Sequence, residues 1–148
     1  MKDSPSQSLR RVHFASLAPI TVIARQLLEA LGSRLASLVC DLRDPKALPR
    51  YANGEQTPRS ESEQRLRAVH QIVSTLMAGG LSRDGVQAWF TALNPDLDDQ
   101  CPAELLRTGD LSATRSVLHA ARAYSEEYGD PPQPDETPAS ATTVANAD

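Results

Sequence analysis

The segment Trp89-Phe90-Thr91-Ala92-Leu93-Asn94-Pro95-Asp96-Leu97, followed by Cys101-Pro102-Ala103-Glu104-Leu105-Leu106, constrains the fold more than any other part of the chain. It holds the only Trp and one of the two Phe in the sequence. Asn94-Pro95 stops a helix, because the residue before a proline avoids the helical region. Pro102 then suits the first turn of a new helix, where its missing N–H costs nothing. Aromatic residues make up only 4% of the chain, so its largest apolar groups belong at a core or a contact surface. No catalytic constellation accompanies them, and the functional question becomes one of binding.

The rest of the chain reads as helices separated by punctuation. Val22, Ile23, Leu27, Leu28 and Leu31 recur three and four residues apart, which predicts a helix from about Pro19 that ends at Gly32. Leu35, Leu38, Val39 and Leu42 form a second, shorter apolar face. Asp44-Pro45 is a start signal for a third helix, closed by Asn53-Gly54 with Pro58 just beyond. Ser60 and Glu63 fit the capping box, in which each side chain satisfies a free backbone N–H of the other residue. The helix they open would bury Leu66, Val69, Ile72, Val73, Leu76 and Met77 and stop at Gly79-Gly80. A shorter helix from about Ser82 to Leu93 carries Val86, Trp89, Phe90 and Leu93 on one side. A brief one runs from Pro102 to Leu106 and breaks at Gly109. The last begins near Ser112 and buries Val117, Leu118, Ala121 and Tyr124. No segment alternates with the period of a half-buried strand, so the expected fold class is all-α. Residues 1–15 read as a flexible arm. Residues 129–148, with Pro131, Pro132, Pro134 and Pro138, cannot build a core and read as a disordered acidic tail.

A chain of 148 residues can bury one core or two small helical ones. Its charge is split. Residues 1–67 hold 11 Lys+Arg and 7 Asp+Glu, a net of +4, while residues 68–148 hold 4 and 12, a net of −8. The split fits two surfaces with different partners, or simply a solvated acidic tail. Cys40 and Cys101 lie far apart, outside any CxxC or Cys/His cluster, and read as buried apolar residues or free thiols in a reducing cytoplasm. No apolar run resembles a signal peptide or a membrane span, and a cytoplasmic location is expected. His13, His70 and His119 have no acid or thiol at useful spacing, and His70 reads as a surface or boundary residue. Gly79-Gly80 lacks the strand and the Lys-Ser/Thr of a phosphate loop. With no nucleophile, base and orienting group to assemble, neither an enzyme nor a cofactor is expected.

Residues 16–60 resemble the helix-turn-helix of Xre/Cro-type regulators. Leu35-Ala36 opens the second helix, and Ala47-Leu48-Pro49-Arg50-Tyr51-Ala52-Asn53-Gly54, with Pro58 nearby, follows the pattern of the third helix and its exit. The resemblance implies that Leu48 and Tyr51 face the core and that Lys46 and Arg50 lie on the face free for the major groove. Arg43 and Arg59 flank that face, suited to phosphate contacts. The chain also departs from the pattern. The turn before the third helix is longer, Cys40 stands where the turn Gly is usual, and Pro49 replaces a polar, base-facing residue. A proline fully inside a helix costs up to ~3 kcal/mol. Asp41, Asp44 and Glu55 put negative charge beside the presumed DNA face, which leaves a degenerate, structural three-helix unit as the alternative.

Residues 61–128 resemble the toxin-binding domain of Xre/MbcA/ParS-type antitoxins. The matching residues are Trp89, Leu93-Asn94-Pro95, Leu97, Pro102, Leu105-Leu106, Gly109-Asp110, Val117 and Leu118. Asp98-Asp99 stand where the family usually has a glycine-containing turn. The resemblance implies a small helical antitoxin whose partner is a RES-type toxin that degrades NAD. It implies that the C-terminal region covers the toxin's active site, and that the pair represses its own promoter as an oligomer; separately, the paired helical faces make a homodimer the expected form. Glu126 and Glu127, with Asp130, Asp135 and Glu136, would then meet basic groups on the toxin, unless they only solubilise the chain. Trp89 reads as core, and Phe90, one position round the helix, as the exposed anchor. The expected partner-binding set is Phe90, Asn94, Pro95, Leu97, Glu126 and Glu127. Two other functions stay open: a DNA-binding regulator whose back half dimerises, and an adaptor that has lost DNA binding.

Overall fold

The computed structural model describes residues 18–128. The expected arm at 1–15 and tail at 129–148 lie outside the described residues. Within them the chain is all-α, with six helices, a short 3-10 turn and no strand. The helices are α1 (Ile20–Val39), α2 (Ala47–Ala52), α3 (Ser60–Ala78), α4 (Arg83–Thr91), α5 (Pro102–Thr108) and α6 (Leu111–Tyr128), with the 3-10 turn at Pro95–Leu97.

Helix α1 is the hub, in contact with α2, α3, α4 and α5, while α6 lies along α3 and closes over α5. The reason is its pattern. Ile23, Leu27 and Leu31 mark one buried stripe, with Ala24 and Ala30 small enough to admit neighbouring helices closely. Leu48 and Tyr51 of α2, Leu66, Val69, Ile72 and Leu76 of α3, and Val117 and Ala121 of α6 complete a single buried cluster, so front and back segments share one core. Gly32 interrupts α1 where expected. Its φ of 80° and ψ of 160° break the helix between two helical stretches, in a region that only glycine occupies cheaply.

Several local expectations are corrected. Helix α2 starts at Ala47, not at Asp44-Pro45, because Asp44 Oδ1 accepts the Lys46 N–H at 3.0 Å and forms a turn ahead of the helix. Pro49 is therefore the third residue of a six-residue helix. The N–H it lacks would have had no intrahelical partner there, and no kink results. The capping box does not form. Arg59 is the N-cap of α3 and makes no side-chain cap bond, while Glu63 pairs with Arg67 one turn on at 2.9 Å. Leu38 and Met77 are exposed rather than buried, at 39% and 45%. Cys40 itself has φ −91°; the left-handed residue of that turn is Asp41, at φ 55°.

His70 is not a boundary residue but a buried one, 2% exposed. Its Nε2 lies 2.6 Å from Gln26 Oε1 of α1, so with that oxygen accepting, Nε2 carries the proton. Its Nδ1 has no partner among the described residues. Burial holds its pKa below the ordinary 6.5, and the charge of Arg67 pushes the same way.

Two outcomes follow. Gly32→Ala should lower stability by about 1–3 kcal/mol in urea unfolding. An added Cβ there would meet nothing within 4 Å, so the loss reports backbone conformation and not a clash. Stability should also fall as pH drops below 6.5, the ordinary value for the His70 imidazole. In that window the unfolded chain takes up the proton and the buried ring does not, so the contribution present above pH 6.5 is lost on acidification. His70→Gln should flatten this part of a stability-against-pH curve.

Candidate partner-docking notch

The corner between α4 and α6 is built from local rules outward. Ser82 caps α4, its Oγ accepting the Gly85 N–H at 3.2 Å. Trp89 and Phe90 then meet edge to face, with ring centroids 5.4 Å apart and planes at 89°. The helix ends at Thr91, and Ala92 turns extended at φ −91°, ψ 158°. Asn94 organises the loop that follows. Its Oδ1 accepts the Asp96 N–H at 2.9 Å, its N–H reaches Gln100 O at 3.1 Å, and its carbonyl accepts from Leu97 and Asp99. Asp98 and Asp99, at φ 57° and 61°, take up the left-handed geometry usually left to glycine, which Asp tolerates better than most residues. The two acids thus supply the turn that a glycine would otherwise make.

Long-range contacts then set the walls. Cys101 Sγ donates to Phe90 O at 3.1 Å, which pins the start of α5 to the end of α4. Arg65 of α3 donates to the carbonyls of Leu106 and, at 3.1 Å, of Gly109. The end of α3 lies against α6 at Gly79, where a Cβ would fall 2.4 Å from Ser125 Oγ and 3.0 Å from its backbone. Ser125 Oγ donates to Thr75 O at 3.0 Å. These contacts leave a notch of about 540 Å³ whose lining includes Trp89, Leu93, Pro95, Tyr124, Glu127 and Tyr128. The two Tyr rings lie 4.8 Å apart, centroid to centroid. The Glu127 carboxylate raises the pKa of the Tyr128 hydroxyl above its usual value.

The expected partner-binding residues divide sharply. Phe90 is fully buried and Leu97 is 6% exposed. Neither can be an exposed anchor, because the core lies on the side of α4 that Phe90 occupies. Trp89 is buried, as its core reading requires. Asn94 is buried and organises the loop, Pro95 is exposed on the notch, Glu127 lines it, and Glu126 is exposed outside its lining. Leu93, expected on the buried side of α4, is 71% exposed, since the backbone leaves the helix before reaching it. Tyr128, at 64%, was not picked out from the sequence. Its signal was there: Tyr124 and Tyr128 are four apart and share one face of a helix.

On the front half, Arg43, Lys46 and Arg59 are exposed. Arg50 is tied to Asp44 at 3.0 Å. The Lys46 N–H and the Arg50 guanidinium together lower the Asp44 pKa. Burial pushes the Cys40 thiol up to about 12, against the opposing charge of Arg65, so it is not a thiolate at neutral pH. Among the described residues no group of three or more His, Cys, Asp and Glu could hold a metal ion. No helix among them is long and apolar enough to cross a membrane.

Phe90→Ala should cost about 3–5 kcal/mol in urea unfolding, whereas Leu93→Ala should change stability by no more than about 0.5 kcal/mol. Comparable losses at both positions would contradict the exposure of Leu93. Compared with protein families, with curated proteins and with solved structures, the chain matches none.

Proposed function

We propose that this chain is an antitoxin-like protein that binds and neutralises a RES-type toxin in the cytoplasm, using the face formed by the end of α4, the loop after it and the end of α6. The observation that carries the reading is the notch itself. It presents two large exposed apolar groups, Leu93 and Tyr128, beside the Trp89, Asn94 and Pro95 corner that bears the resemblance to Xre/MbcA/ParS-type antitoxins. Exposed apolar groups gathered at a concave corner are what a protein partner removes from water. Glu126 and Glu127 extend this face toward basic groups on the toxin, and the chain works as a homodimer.

The front half, α1 and α2 with the turn between them, is the Xre-like unit of this proposal. A DNA-binding regulator is the second reading, favoured by exposed Arg43, Lys46 and Arg59 around α2. Two features oppose it: α2 has only six residues, and Arg50 is held by Asp44.

Co-expression with the product of the adjacent gene tests the proposal. The expected result is a co-purifying complex and restored growth, both lost in Leu93→Asp while the free variant stays folded by circular dichroism. Absence of any complex, or a complex indifferent to Leu93→Asp, would overturn the proposal. A gel shift of the free chain on its own upstream DNA, weakened by salt and by Arg50→Ala, would favour the regulator instead.

A further inference from the structure

We infer that the notch between α4 and α6 receives an extended, proline-containing, basic segment of the partner protein. The inference rests on the partner-binding reading above and names the chemistry of what binds. The shape is an aromatic-lined corner: Tyr124, Tyr128 and Trp89 with Leu93 and Pro95. Proline rings of a polyproline II segment pack on such surfaces, and the segment pays little entropy because it is already extended.

Charge selects the occupant. Asp96 and Glu127 both line the notch, and among the described residues its lining carries no Lys or Arg. The chain's own residues 129–148 contain prolines, but they hold Asp130, Asp135, Glu136 and Asp148 and no Lys or Arg. They meet repulsion where a basic segment meets attraction. The back half of a second copy faces the same difficulty, since residues 68–148 carry a net charge of −8. Tyr128, just over one turn from Tyr124 on α6, and Leu93, beyond the end of α4, line the notch from two different elements.

Trp89 is the single Trp, so its emission reads the notch directly in the full-length chain. The probe is a short synthetic peptide of repeated Arg-Pro-Pro triplets, titrated beside Glu-Pro-Pro and Arg-Gly-Ser repeats of equal length. The expected result is a saturable change with Arg-Pro-Pro alone, abolished by Tyr128→Ala and weakened about tenfold or more by Glu127→Lys. Both positions are exposed, and circular dichroism checks that the variants fold. No response to Arg-Pro-Pro, an equal response to Glu-Pro-Pro, or equally tight binding of Arg-Gly-Ser overturns the inference. So does a sedimentation result showing a dimer that dissociates in Tyr128→Ala. If a toxin complex forms and survives Glu127→Lys while the peptides fail, the partner-binding reading stands and this inference falls. If the peptide binds as expected and no toxin complex forms, the failure belongs to the antitoxin reading.

Discussion

Each helix that ends leaves backbone carbonyls without an intrahelical partner, and this fold uses side chains from other helices to claim them. Arg25 of α1 donates to Ala52 O at the end of α2, and Gln87 of α4 to Ala30 O just before the Gly32 break. Arg65 of α3 reaches Leu106 O and Gly109 O at the end of α5, and Cys101 reaches Phe90 O at the end of α4. Ser125 of α6 adds a second bond to Thr75 O in the last turn of α3. A chain of short, interrupted helices has many such ends. Closing them from a distance is what joins the pieces into one body. Arg contributes most because its guanidinium offers several donors in a fixed plane, so one side chain can hold two carbonyls.

The notch is a consequence of that closure. Val86 and Phe90 of α4 turn inward and are fully buried, and the carbonyl bonds then hold the helix in that rotation. With the rotation set, the backbone beyond Thr91 has to leave the core to reach the 94–100 loop, and it carries Leu93 with it into solvent. Helix α6 supplies the opposite wall. Its approach to α3 depends on Gly79, which has no side chain to hold the two apart. Exposed apolar groups at the notch are therefore a by-product of tight packing elsewhere, which makes them available for a partner at little cost to the free protein.

Much of the helix order was legible in the sequence because its causes are local. Gly32 and Gly79 stop helices through backbone properties that neighbours do not change, and Pro102 starts one for the same reason, whereas α4 ends at Thr91, before Asn94-Pro95 is reached. Signals that depend on a choice between partners were misread. Ser60 and Glu63 had the spacing of a capping box, but Glu63 had Arg67 within one turn and took the charged partner. Asp44 had the chemistry of an N-cap, yet its side chain turned to Lys46 ahead of the helix. His70 lies four residues after Leu66 and three before Val73, on the buried stripe of α3, but nothing in its own neighbourhood says that Gln26, 44 residues away, would meet it.

Helical character, the breaks at Gly32 and Gly79, and the apolar stripe that each helix offers were determined by the sequence alone, because proline's missing N–H, glycine's backbone freedom and the three- and four-residue spacing of Leu, Ile and Val act over a few residues. Which large side chains stayed outside was decided only in three dimensions. Phe90 and Leu93 are three positions apart and look equivalent on one stripe. The rotation of α4 against α1 and the early end of that helix buried one and exposed the other. Tyr128 became part of a concave face only because α6 folds back along α3 to lie opposite the loop at Asn94.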